Sequence, residues 1–308
     1  KHRPTWEGVR PKRRSTVTLP RPDNPTAEGY TWASADAFST LTASRMALLE
    51  VVLLAITQGI AEFLPISSSG HVVVGAALFK QFGHPMQQMV TVNIVLHLGT
   101  LGAILVVYWG RIRRLLGEDR RLILLLALGT LPAVLIGIPL RWYFEGALES
   151  PTLTGWMFLV TGAMLALSPR IKPGKVACRD LTWGRALLVG LFQALAILPG
   201  ISRSGATIVA GLACGLKREE AAAFSFLLAV PVIGGVGLVE MVGVLVKPSG
   251  APPLGLLGLG AALSFAVGLA SLAWLLRWLQ KGRLHHFAYW VIPLGVAEVK
   301  RPGSDVTI

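Results

Sequence analysis

Three short segments carry residue types able to do chemistry. The first is Gln58-Gly-Ile-Ala-Glu62. An i,i+4 spacing puts the amide and the carboxylate on one helix face, and the apolar neighbours set that face in a hydrophobic medium. A carboxylate placed there serves as an oxygen ligand for a metal or as a proton carrier. A helix-end glutamate reaching an interface is the competing account, and it suits Glu50 better than Glu62. The second segment is Ser67-Ser68-Ser69-Gly70-His71. Hydroxyls and a glycine ahead of a helix suit an anion held by backbone N–H groups. Ser68 and His71 can make a nucleophile–base pair, or the imidazole can attack phosphorus itself; the serines can equally cap a helix. The third segment is Ser202-Arg203-Ser204-Gly205-Ala206-Thr207, whose Arg203 is the only charge between Ala186 and Leu216. A lone guanidinium in such a stretch needs an anion, and its fork matches phosphate. Glu62 is the partner that the chain itself offers. One carboxylate, an amide, a histidine, hydroxyls and one arginine suit a phosphate or pyrophosphate handled with a divalent cation.

Those segments lie in a chain built for lipid. Of 308 residues, 53% are hydrophobic and only 15% charged, where soluble domains carry about 25% charged residues. A water-covered surface cannot be made from this composition, and an integral membrane protein is expected. The net charge of +13 belongs to basic loops beside a membrane rather than to nucleic-acid binding. Cys178 and Cys214 form no CxxC, which excludes a thiolate metal site or a disulfide framework.

Residues 1–45 hold eight basic and four acidic residues and five prolines with no apolar period, and read as a disordered tail or upstream extension. Residues 46–298 form one transmembrane domain, and 299–308 a polar C-terminal tail. Uncharged runs predict spanning helices over about 92–110, 121–142, 153–169, 220–246 and 254–278, with a short sixth near 284–297. Residues 47–80 and 185–216 are each broken by one of the polar loops, leaving halves too short to span. Helix, polar loop, helix is the pattern of a re-entrant hairpin, whose irregular backbone survives only in protein or against a wet cavity.

The two broken stretches match at an offset of 135: Gln58 with Gln193, Ile66 with Ile201, Ser67 with Ser202, Ser69 with Ser204, Gly70 with Gly205. The same offset superposes the predicted spans. The expected architecture is an all-α polytopic membrane protein with an inverted-topology repeat, about 46–170 and 184–298, each half a re-entrant hairpin plus three spans. Basic residues cluster in 111–121, 170–185 and 277–283. The positive-inside rule then puts those loops in the cytoplasm, hairpin 1 opening outward and hairpin 2 inward. His97 reads as a hydrogen-bonded core histidine, Pro132 and Pro231 as kinks, and Glu240 is given no role.

The segments QGIAEFLPISSSGH (58–71), LHLGTLGAILVVY (96–108), PGISRSGATI (199–208) and FSFLLAVP (224–231) resemble undecaprenyl-diphosphate phosphatases of the bacitracin-resistance type, over roughly 46–290. The resemblance implies a multi-pass bacterial inner-membrane enzyme acting on a polyprenyl diphosphate lipid. Its site would face the periplasm, and its role would be to recycle the cell-wall lipid carrier. It implies a divalent cation, Mg2+ or Ca2+, held by Glu62 and Gln58, this chain having the glutamine form of the motif. It implies catalytic roles for Glu62, Ser68, His71 and Arg203. Phosphate would be bound by Ser67, Ser69, Gly70, Ser202, Arg203, Ser204, Gly205 and Thr207. Nucleic acid is not an expected partner; membrane lipids are, and a homodimer is allowed. Serine, histidine or water remains open as the attacking group. A polyprenyl-phosphate flippase using the same anion clamp is the alternative reading. After Tyr289-Trp290 the charges at Glu298, Lys300 and Arg301 shorten the last span relative to the family pattern.

Overall fold

A computed structural model describes residues 48–81, 89–172, 174–246 and 253–300. The expected tail 1–45 and residues 301–308 lie outside the described residues. Two apolar helices, α1 (Leu48–Ala61) and α2 (Ser68–Gln81), meet at the first polar loop. They are followed by α3 (Met89–Val107), α4 (Trp109–Gly117), α5 (Arg120–Tyr143), the single turn α6 (Glu145–Leu148) and α7 (Pro151–Leu167). A connecting segment leads to the second hairpin, α8 (Trp183–Leu195) and α9 (Arg203–Ala213). Then come α10 (Arg218–Val246), α11 (Leu254–Gln280) and α12 (Ala288–Val299).

The chain is an all-helical polytopic membrane protein. Among the described residues four helices are long and apolar enough to cross a bilayer, and α3 with α4 makes a fifth as a bent pair. Their outer faces keep large apolar side chains uncovered, with Leu135 at 63% and Leu238 at 68% exposure. Such faces are costly in water and neutral in lipid. At 14, 13 and 11 residues, α2, α8 and α9 fall short of the ~20 residues a span needs. The last helix, α12, has 12 residues, about 18 Å at 1.5 Å per residue, and is not among the helices long enough to cross, where a short sixth span was expected.

The offset of 135 reappears in the packing. Helix α1, from the first of the two matching halves, lies on α11 from the second, where Gly59 faces Ser264 and Val267. Conversely α8 lies on α5, where Gly190 faces Gly129; positions 129 and 264 are themselves 135 apart. The pairs α3 with α10 and α7 with α12 also cross between the two halves. Glycine lets α7 and α12 approach closely: a Cβ on Gly155 would meet Gly295 O at 3.1 Å, and one on Gly162 would strike Ile292. Small residues at such crossings supply the dispersion contact that holds helices together where water gives no driving force.

One expectation needs correction. The basic stretch 111–121 is not a loop: α4 forms there, bent 77° from α3 at Tyr108. Arg113 and Arg114 are exposed on it while Leu115 is buried, the pattern of a helix lying along an interface rather than continuing through it. Arg111 pairs with Glu220 at the start of α10, its Nη1 donating at 3.0 Å to Oε2. The backbone N–H of Cys178 donates to the same oxygen at 2.9 Å. Burial, and then the contact with Glu220, pushes the Cys178 thiol up, so it is a hydrogen-bond donor to Glu220 O and not a nucleophile. At Pro132 and Pro231 neither helix ends; α5 and α10 continue beyond them.

Candidate active site

The two polar loops cross at the heart of the molecule. Ser67 caps α2, its Oγ accepting from Gly70 N at 3.3 Å. At the equivalent place Ser202 caps α9, accepting from Gly205 N at 3.1 Å. The same Ser67 Oγ accepts from Gly200 N at 3.2 Å and donates to Ile201 O at 3.3 Å, so one hydroxyl ties one loop to the other. These bonds hold Ser67 at a φ of 68°, a left-handed conformation that costs a non-glycine residue about 1–3 kcal/mol. Opposite it Gly200 takes a φ of 95°, where glycine is free to sit.

The crossing leaves no room for side chains. A Cβ on Gly70 would lie 2.6 Å from Phe158 Cζ and 2.9 Å from the Cα of Gly200. Since backbone cannot rotate away, Gly70→Ala is expected to cost about 1–3 kcal/mol in overpacking. Thermal unfolding in detergent, set against the unsubstituted protein, checks the loss.

Around that crossing the sequence-predicted residues meet. Glu62 is 7% exposed and its carboxylate is surrounded. Oε1 pairs with the Arg203 guanidinium. Oε2 accepts from Gln58 Nε2 at 2.9 Å and from Ser68 Oγ at 2.8 Å. Under the offset of 135, Ser68 and Arg203 are equivalent positions, each the first residue of its helix after a capping serine. Both reach the one carboxylate, which has no counterpart in hairpin 2, where Ile197 stands. Gln193, the partner of Gln58, instead donates to Gly129 O at 3.4 Å. The two loops share their capping serines and differ in the groups they bring to the carboxylate.

Two buried polar atoms in this cluster have no partner: Gln58 Oε1 and Arg203 Nη1. An orphaned acceptor beside a carboxylate fits a cation. An orphaned guanidinium N–H fits an anion. Each costs about 1–3 kcal/mol left unsatisfied.

His97, expected as a core histidine, does donate from Nδ1 to Asn93 O at 2.8 Å. Its Nε2, however, lies 3.6 Å from Glu62 Oε2, which places it in the site. The sequence signal for this role is a polar stripe, Asn93, His97 and Thr100, on one face of the otherwise apolar α3. The hydroxyls of hairpin 2, expected to bind phosphate, are engaged elsewhere. Ser204 Oγ donates to Leu64 O at 3.4 Å, and Thr207 Oγ1 donates to Arg203 O at 2.7 Å and lies 2.5 Å from Ser225 Oγ. Ser202 N donates to Thr161 Oγ1 at 3.0 Å. Ser69 Oγ lies 3.4 Å from Ser67 Oγ. Among the described residues no group of three His, Cys, Asp or Glu side chains could hold a metal by itself.

Comparison with known proteins agrees with this architecture. The family described as bacitracin resistance protein BacA matches residues 51–297. A protein of Rhodopirellula baltica named undecaprenyl-diphosphatase is 51% identical over 253 residues, covering 82% of this chain and 97% of its own. Proteins of the same name from Halothermothrix orenii and Desulfatibacillum aliphaticivorans are each 39% identical. They are covered over 96% and 93% of their lengths, and cover 82% and 78% of this chain. The chain belongs to the BacA family.

Proposed function

We propose that this protein is a membrane phosphatase that hydrolyses undecaprenyl diphosphate to undecaprenyl phosphate and inorganic phosphate. This would recycle the cell-wall lipid carrier and confer bacitracin resistance. The observation that carries the reading is the pair of buried, unpartnered atoms on either side of the Glu62–Arg203 ion pair. One awaits a cation and the other an anion, as a metal-bound phosphate supplies. The relatives' shared name agrees with it.

In this reading Arg203 turns its free Nη1 to the terminal phosphate and stabilises charge building on the transferring group. Ser68 attacks the terminal phosphorus. Its proton passes to Glu62, already 2.8 Å away, and the bond to the bridging oxygen breaks as the lipid phosphate leaves. Water then attacks the phosphoserine, giving its proton to His71, as the bond from phosphorus to Ser68 Oγ breaks; Glu62 returns its proton to that oxygen and free phosphate departs. Gln58 and Glu62 would hold a divalent cation, Mg2+ or Ca2+, with His97 beside them; when bound it supplies neutralisation of phosphate charge. Ser67 and Ser204 tie the two loops together, while Ser202 caps α9 and Thr207 meets Ser225 of α10. The basic residues of α4 and of the connecting segment lie in the cytoplasm by the positive-inside rule, and hairpin 1 opens towards the periplasm.

The test is phosphate release from a polyprenyl diphosphate in detergent. Activity is expected to need added Mg2+ or Ca2+ and to fall at least ~100-fold in EDTA, the cation carrying several kcal/mol of charge stabilisation. Full turnover in EDTA would remove the cation from the mechanism, and no turnover with any added cation would remove the phosphatase reading.

A further inference from the structure

His71 is held by contacts that the reaction scheme above does not explain. Its Nδ1 lies 2.7 Å from Ser67 O. A carbonyl only accepts, so Nδ1 carries a hydrogen. Its Nε2 lies 3.0 Å from the indole Nε1 of Trp290. An indole only donates, so Nε2 carries a lone pair. Both ring nitrogens are thereby assigned: the imidazole is neutral, protonated on Nδ1 and basic on Nε2. The Trp290 ring stacks almost parallel to the imidazole, at 7° and 6.3 Å between centroids, and Phe158 meets it edge-on at 5.5 Å.

Trp290 comes from α12, 219 residues further along the chain. It is seated there by the close glycine-lined packing of α12 on α7, the helix that also supplies Phe158. Trp290 is 58% exposed, and the acceptor for its indole N–H is His71 Nε2. The bond therefore serves both partners while the site is at rest. The same bond occupies the lone pair that His71 needs to take a proton, so the indole must give up Nε2 during each turnover.

We propose that Trp290 is a positioning residue: its indole N–H holds His71 with Nε2 as the sole basic nitrogen and yields that nitrogen when substrate enters. The kinetic part rests on His71 acting as the base in the proposed phosphatase reaction. The assignment of the ring nitrogens does not.

The test uses full-length protein in detergent micelles with 15N-labelled histidine, the His71 signals being those missing from His71→Asn. Wild type is expected to show Nδ1 protonated and Nε2 unprotonated. In Trp290→Phe, which keeps the ring and loses the N–H, the Nε2 shift is expected to move towards that of a nitrogen without a donor. The same variant is expected to lose roughly 10- to 100-fold in kcat, the range for partners that orient a functional histidine, with KM changed less than about twofold because uniform binding is untouched. A protonated Nε2 in wild type would overturn the assignment whatever the enzyme does. Wild-type kcat in Trp290→Phe beside a low kcat in Trp290→Ala would show that ring packing alone matters, and would overturn the role of the N–H.

Discussion

Arg203→Ala is expected to lower kcat/KM for phosphate release by about 10³- to 10⁵-fold, the range seen when an arginine that stabilises phosphoryl transfer is lost. The guanidinium does two jobs with different nitrogens. Nη2 neutralises Glu62, and Nη1 stands buried and unpartnered, ready for a phosphate oxygen. Arg203→Lys separates the two. An ammonium can still pair with the carboxylate, but it has no planar fork to give a second, oriented donor. The lysine substitution should therefore restore most of the thermal stability that the alanine substitution loses, and little of the turnover. Breaking a buried pair costs about 3–5 kcal/mol. Here the loss falls at the low end, because Glu62 keeps Gln58, Ser68 and His97 around it. Phosphate release and unfolding temperature, measured together for both variants, decide the matter. Near-native turnover in Arg203→Lys would show that only charge is needed at this position.

Much of this site is legible in the amino-acid sequence. A charge isolated in an apolar stretch is so costly that its presence announces a function, which is why Arg203 and Glu62 stand out directly. The offset of 135 pairs the two loops, and the fold realises it as two serine caps, Ser67 and Ser202, each on the N–H three residues on. What stays hidden depends on distance along the chain. His97 reaches the site from 35 residues after Glu62, and Trp290 from 219 residues after His71. Nothing local marks Trp290 as functional, a tryptophan near a helix start being ordinary, and His97 is marked only by the polar stripe it shares with Asn93 and Thr100. Ser204 and Thr207 are legible only as residue types that suit phosphate; that their hydroxyls donate to Leu64 O and Arg203 O is decided by helix rotation, which spacing alone does not give. The onset of charge at Arg111 marks the end of the span, but the pairing of Arg111 with Glu220, 109 residues away, is a tertiary contact that no local pattern shows.

The Ser68–Glu62 contact yields the sharpest mechanistic prediction. Glu62→Gln keeps the shape of the side chain but removes the charge, so it can neither take the Ser68 proton nor neutralise Arg203. Turnover is expected to drop at least ~10³-fold, combining a lost general base, itself worth about 10²–10⁴, with a disturbed guanidinium. Ser68→Ala is expected to be about as severe, since it deletes the attacking oxygen. The informative measurement is the double variant. Residues that act as one unit fail together, and their losses do not add. If Glu62 serves chiefly as the base for Ser68, Glu62→Gln/Ser68→Ala should retain about the same residual phosphate release as Ser68→Ala alone, because with no hydroxyl to activate a base has nothing further to lose. Multiplied losses would show that Glu62 acts on something other than Ser68, the cation or an attacking water being the candidates. A phosphorylated Ser68 trapped by rapid quench in wild type, and absent from Glu62→Gln, would be the matching chemical signature. Wild-type protein quenched at saturating substrate without any adduct would exclude attack by Ser68, and would leave Glu62 and His71 to activate water directly.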